Sequence, residues 1–162
     1  MADGPVVANN TPLAALWAIG RLDLLQDLFG KILIPQEVAN EFLAVDQFAR
    51  KKDLDTAPWI QVDQVRDRRR VVAYANLDLG EAEVLALGEE KCARLLVLDE
   101  VKGRRFARRM GVPIIGTLGV VLLAKEEGLL ESVAPVIEQL QDAGFYLAPD
   151  LVSRALELAD EG

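Results

Sequence analysis

Four side chains set the chemistry open to this sequence: Asn9, Glu41, Glu81 and Asp99. Asn9 follows the apolar run Pro5-Val6-Val7-Ala8, and Asp99 follows Leu95-Leu96-Val97-Leu98. If both runs are strands of an open parallel sheet, the two residues project beyond the carboxyl ends, where such sheets bind ligands. Glu81 falls in the first turn of an apolar helical pattern, and Glu41 shares a helix face with Glu37 at i, i+4. Three carboxylates and a carboxamide converging there would repel by several kcal/mol without a cation. A divalent ion would offset that repulsion, activate a water and clamp a phosphate oxygen. The absence of histidine excludes a Ser-His-Asp triad, a Cys-His dyad and a His-ligated zinc. The single Cys92 excludes disulfides and Cys-rich zinc or iron–sulfur sites and suits a reducing compartment. Oxygen ligands alone favour Mg²⁺ or Mn²⁺.

Each acid also has a plain structural reading. Asp99 would cap a helix beginning near Val101, Glu81 would favour the dipole of its own helix, and Glu41 would lie on a solvated face. Charge is similarly two-sided. With Lys+Arg 18 against Asp+Glu 26, the net charge of −8 argues against phosphate-backbone binding. Yet nine of the basic residues sit in two short windows, Arg66 to Arg70 and Lys102 to Arg109. In the second window Lys102, Arg104 and Arg105 are candidates for drawing nucleic acid to the rim of the acidic crevice; the alternative is a solvated helix face paired with nearby acids. Gly116 to Gly119 lacks the spacing and lysine of a phosphate loop.

The elements that must position these residues alternate short apolar runs with longer helical patterns, the signature of α/β architecture. The first strand leads to a turn with Thr11 as N-cap and Pro12 opening a helix. A helix over Arg21–Phe29 follows, then a strand Lys31–Pro35 and a helix carrying Val38, Phe42 and Val45. The middle is less defined: Asp53 to Pro58 reads as loop, Trp59–Val62 as strand and Arg66–Ala75 as helix. Glu81–Glu90, with Val84, Leu85 and Leu87 buried, precedes the Leu95–Leu98 strand. A basic helix spans Val101–Met110, Val112–Ile115 is a strand, and an apolar helix runs from Gly116 through Lys125. Two C-terminal helices fall at about residues 131–160. No linker divides the chain, so residues 1–162 read as one domain. No apolar run approaches the roughly 18–20 residues of a membrane span, and the N-terminus does not resemble a secretory signal. The expected location is the cytoplasm.

Four ordered motifs, covering nearly the whole chain, resemble the PIN-domain family. They are Val6-Val7-Ala8-Asn9-Asn10-Thr11-Pro12-Leu13, Ile34-Pro35-Gln36-Glu37-Val38 with Glu41, Leu77-Asp78-Leu79-Gly80-Glu81-Ala82-Glu83, and Leu98-Asp99-Glu100-Val101-Lys102-Gly103-Arg104-Arg105-Phe106-Ala107. More narrowly, they are similar to a prokaryotic branch long catalogued as a domain of unknown function and likened to VapC toxins. The resemblance implies a three-layer α/β/α domain with a central parallel sheet and an Mg²⁺- or Mn²⁺-dependent endoribonuclease activity. It also implies an RNA substrate, a small antitoxin-like protein partner and a homodimer, with Leu24 and Leu28 as exposed contact residues. The family's acidic quartet falls on Asn9, Glu41, Glu81 and Asp99, with Asn9, Glu81 and Asp99 on the metal. The separation of 99 − 81 = 18 residues favours Glu81 over Glu83. The departure is Asn9, where the family is expected to have Asp: a carboxamide offers a carbonyl oxygen but no charge. It motivates an alternative, a catalytically weakened or inactive PIN-like module that binds a protein partner or nucleic acid.

Overall fold

The computed structural model describes residues 3–162. Five short strands, β1 (Val6–Ala8), β2 (Ile32–Pro35), β3 (Ile60–Asp63), β4 (Leu95–Val97) and β5 (Ile114–Ile115), form one sheet in the order β3-β2-β1-β4-β5. Every pairing is parallel. β1 and β2 are buried along their whole length, the expected state for parallel strands covered on both faces. The strand order reverses direction at β1. The topological switch point, and with it the ligand-binding crevice of a doubly wound sheet, therefore lies beyond the ends of β1 and β4.

Ten helices are present among the described residues: α1 (Asn10–Ala18), α2 (Asp23–Phe29), α3 (Gln36–Leu43), α4 (Gln47–Asp55), α5 (Arg68–Val72), α6 (Leu79–Glu90), α7 (Val101–Met110), α8 (Thr117–Glu126), α9 (Ala134–Asp142) and α10 (Pro149–Leu158). The helices flank the sheet, giving the expected α/β/α architecture. α6 packs on β1 and β2 and against α3, α5 and α7, whereas α8 packs against α1, α2 and α10. α6 is enclosed on all sides, with Gly80 through Gly88 buried, as befits a helix apolar around most of its circumference. A second apolar cluster joins α8, α9 and α10 to Ala15 of α1 through Val121, Val133, Ile137, Leu140 and Ala155.

Several local expectations change. α1 begins at Asn10 with Asn9 as its N-cap residue, so Thr11 lies inside the first turn; Pro12 is tolerated there because the first turn needs no N–H from it. The Arg66–Ala75 pattern condenses to the five residues of α5, capped by Asp67, whose side chain accepts from the Arg69 N–H. α4 has no counterpart in the sequence reading. Its sequence is polar almost throughout, with only Arg50 buried, so no apolar period marks it. Arg50 is held over the rings of Trp17 and Phe42 at 4.8 and 4.9 Å and donates to the Phe42 carbonyl at 2.9 Å. Leu24, expected on the surface, is fully buried, and Leu28 packs against the same core. Among the described residues no helix is long and apolar enough to cross a membrane.

Candidate active site

The ladder between β1 and β4 runs on by one step, with the Asn9 N–H donating to the Val97 carbonyl at 2.9 Å. Asn9 is 95% hidden from solvent and makes no capping bond through its side chain. Beyond β4, the Leu98 N–H pairs with the Ile115 carbonyl at 2.9 Å, which leaves Asp99 as the first residue past the ladder. Both carboxylate oxygens of Asp99 are taken by Thr117: the backbone N–H donates to Oδ1 at 2.8 Å and the hydroxyl to Oδ2 at 2.6 Å. Asp99 thus ties the start of α8 to the end of β4. It does not cap α7, whose N-cap residue is Glu100, without a side-chain bond.

Glu41 and Glu81 meet from two different helices. α3 leaves the carboxyl end of β2, and α6 begins at that same end of the sheet, so residues in the second turn of one and the first turn of the other share the crevice. Asp78, the N-cap of α6, accepts the Glu81 N–H at 2.8 Å. Burial first, then a hydrogen bond to Asp78 and the charges of Asp78, Glu100 and Glu41, pushes the Glu81 carboxyl up to about 8. Burial, followed by the charges of Asp78, Glu37 and Glu83, pushes Glu41 up to about 7. Glu41 is no solvated face residue, since its Oε1 is buried without a hydrogen-bond partner. Glu83, one residue pair along α6, is committed elsewhere: it accepts the Glu37 N–H at 3.1 Å and pairs with Arg68 at 3.0 Å. The environment of Glu81 is acidic and that of Glu83 is compensated.

A glycine lies against each of the three acids. A Cβ on Gly80 would overlap Glu41 Oε1, and one on Gly116 would overlap Asp99 Oδ1. A Cβ on Gly103 would sit 3.4 Å from Glu81 Oε2 and 2.9 Å from a Leu98 methyl. Three backbones therefore come within reach of three carboxylates because no side chain intervenes. The basic windows separate by the same kind of test. Arg68, Arg69 and Arg70 pair with Glu83, Asp67 and Glu89. Lys102, Arg104 and Arg105 of α7 have no carboxylate at ion-pair distance among the described residues. Lys102 and Arg105 are exposed, while Arg104 is half-buried with its Nε unpartnered.

The structure thus brings Glu41 and Glu81 together, adds Asp78, and sets Asp99 with Thr117 at the neighbouring strand end. Among the described residues no three Asp or Glu side chains stand close enough to form a ready-made metal cluster. The donors nonetheless fit a hard divalent cation in kind. All are oxygens, one buried carboxylate oxygen has no partner, and two carboxyls are pushed up to about 7 and about 8, first by burial and then by neighbouring negative charge that a cation would neutralise. Asp78 and Thr117 were not among the sequence candidates. The Asp78-Leu79-Gly80-Glu81 capping pattern and the Gly116-Thr117 step after a strand were the signals for them. The model of a protein family described as DUF3368: PIN domain matches residues 5–161. No curated protein and no solved structure matches the chain.

Proposed function

The chain belongs to the PIN-domain family, a nuclease-type fold generally dependent on a divalent metal, and on that premise we propose that it is an endoribonuclease of the toxin–antitoxin type. The observation that supports this reading best is the mutual approach of Glu41, Glu81 and Asp78 at the carboxyl end of the sheet, the end at which Asn9 and Asp99 follow β1 and β4. Asn9, Glu81 and Asp99 would hold Mg²⁺ or Mn²⁺, with Glu41 completing the acidic wall. When bound, the cation supplies charge neutralisation, a lowered pKa for water and polarisation of a phosphate oxygen. The protein's own residues do the rest. Asp99, fixed through Thr117, presents carboxylate oxygens whose direction cannot drift, and Asn9 offers a neutral carbonyl oxygen. Lys102, Arg104 and Arg105 supply positive charge free to meet the RNA backbone.

Cleavage of a labelled RNA with Mn²⁺ is expected from the natural chain and not from Asp99→Asn, both preparations having been shown by circular dichroism to be folded. Equal cleavage by the two would sink the assignment. A second reading, a non-catalytic module that binds nucleic acid or a protein partner, is favoured by Asn9 and by the absence of a three-acid cluster among the described residues. Cleavage that appears only in Asn9→Asp would establish it. The proposal includes a small antitoxin-like partner, a homodimer and a cytoplasmic setting; purification as a lone monomer that captures no neighbouring-gene product would remove the antitoxin and the dimer.

A further inference from the structure

A cavity of about 600 Å³ opens between the carboxyl ends of β4 and β5 and the C-terminal helix α10. Its volume is that of a small-molecule site, and its lining runs from Asp99 and Glu100, past the start of α8, to Leu151, Arg154 and Leu158 of α10. Most of its surface is apolar, which a bare phosphate groove has no use for. Two guanidinium groups border it from opposite elements, Arg104 from α7 and Arg154 from α10, and Arg104 Nε is buried without a partner. At the rim stands Tyr146, 83% exposed, with Phe145 half-buried beside it. An apolar slot flanked by an aromatic ring and two planar cations, continuous with an acidic crevice, has the chemistry of a flat heteroaromatic ring joined to a phosphodiester. The ring can stack on tyrosine or guanidinium, and the attached phosphate meets the arginine nearest the acids.

We propose that this cavity is a nucleobase subsite that receives a base neighbouring the phosphate held at Asp99, with Tyr146 as the stacking platform and Arg154 as the donor to the base edge. The subsite rests on the nuclease reading for its placement beside a scissile bond, but not for its ability to bind RNA. Arg104 lies between the two regions and takes the intervening phosphate. The arrangement gives the protein a base preference, set by the hydrogen-bond acceptors that a guanidinium can reach.

The test measures binding and cleavage separately. Binding of fluorescein-labelled pentaribonucleotides of A, C, G and U is followed by anisotropy in chelator, and cleavage of the same oligomers is followed with Mn²⁺. The natural chain should prefer one pentamer. Tyr146→Ala should weaken that pentamer by about tenfold, the scale of one lost base–aromatic stack, while Tyr146→Phe retains it. Arg154→Ala should flatten the preference among the four. Because Tyr146 and Arg154 are exposed, neither change threatens the fold. Binding that depends on Tyr146, without cleavage, supports the subsite and overturns the nuclease reading. Cleavage whose base preference ignores both substitutions does the reverse. Failure of all four pentamers to bind, or equal binding of all four, overturns the subsite.

Discussion

Replacing Asn9 by Asp places another negative charge at the end of the sheet where Glu41 and Glu81 already resist ionisation. The sign of the consequence follows from proton linkage. Both carboxyls sit above their ordinary value of 4.5 in the folded chain, at about 7 and about 8. Between 4.5 and those values the folded state binds more protons than the unfolded state, so stability is highest below the ordinary value and is lost as pH rises through 7 to 8. In chelator, the melting temperature should therefore fall from pH 5 to pH 8. Excess Mn²⁺ should restore it at pH 8, because a cation that binds only the folded chain stabilises by mass action. Glu81→Gln should flatten the fall and abolish cleavage together, the signature of a residue kept for function against stability. Asn9→Asp should steepen the fall in chelator and tighten Mn²⁺ in calorimetry. A chelator melt that does not change across this range would contradict the account of both glutamates.

At the scale of elements, the site is assembled from helix starts gathered at one end of the sheet, and its precision depends on what those starts lack. Gly116→Ala would drive a methyl into Asp99 Oδ1 and dislodge it from Thr117. The expected result is a cleavage loss of at least tenfold with the secondary structure intact, whereas Gly111→Ala, which puts a side chain on a left-handed helix cap with open space around it, should lower stability and spare activity. This architecture was legible where the chain repeats simple periods. The five strands, the Val101–Met110 helix, and the Asn9 and Asp99 that follow the two central strands are read from apolar runs and their terminators. α4 was not legible, because its anchor is a cation lying against an edge-to-face pair of aromatic rings and no apolar stripe marks it. Arg50→Ala should consequently cost about 2 kcal/mol, the range of a desolvated cation–π contact, read as a shift in urea midpoint. Thr117 is less legible for a related reason, since its bonds to Asp99 join segments 18 residues apart, whereas the Asp78 cap on the Glu81 N–H is local and does leave a pattern in the sequence.

For the whole molecule, α8 is the member through which the acidic crevice and the C-terminal layer are joined. Its start is bound by Asp99, and near its end Lys125 pairs with Glu161 at 2.8 Å and donates to the Ala159 carbonyl. The Glu161 carboxylate also accepts the N–H groups of Val133 at 2.8 Å and Ala134 at 3.0 Å. Those bonds, Lys125 foremost, hold its pKa down to about 2. Its contribution is therefore present above the ordinary value of 4.5 and is lost as pH falls through 2. One carboxylate thus fastens the chain end to α8 and to the start of α9, while apolar contacts of Ala155 and Ala159 fasten α10 to the same layer. Because the sheet and this layer bury separate clusters, loosening the clamp should open the layer without unfolding the sheet. Glu161→Gln at pH 7 should speed amide exchange in α10 and at Val133 and Ala134, leave β1 and β4 protected, and lower the melting temperature by a few degrees. Exchange that accelerates equally in β1 and β4 would mean that the two layers unfold as one unit, and unchanged exchange in α10 would mean that its apolar face holds it without the clamp.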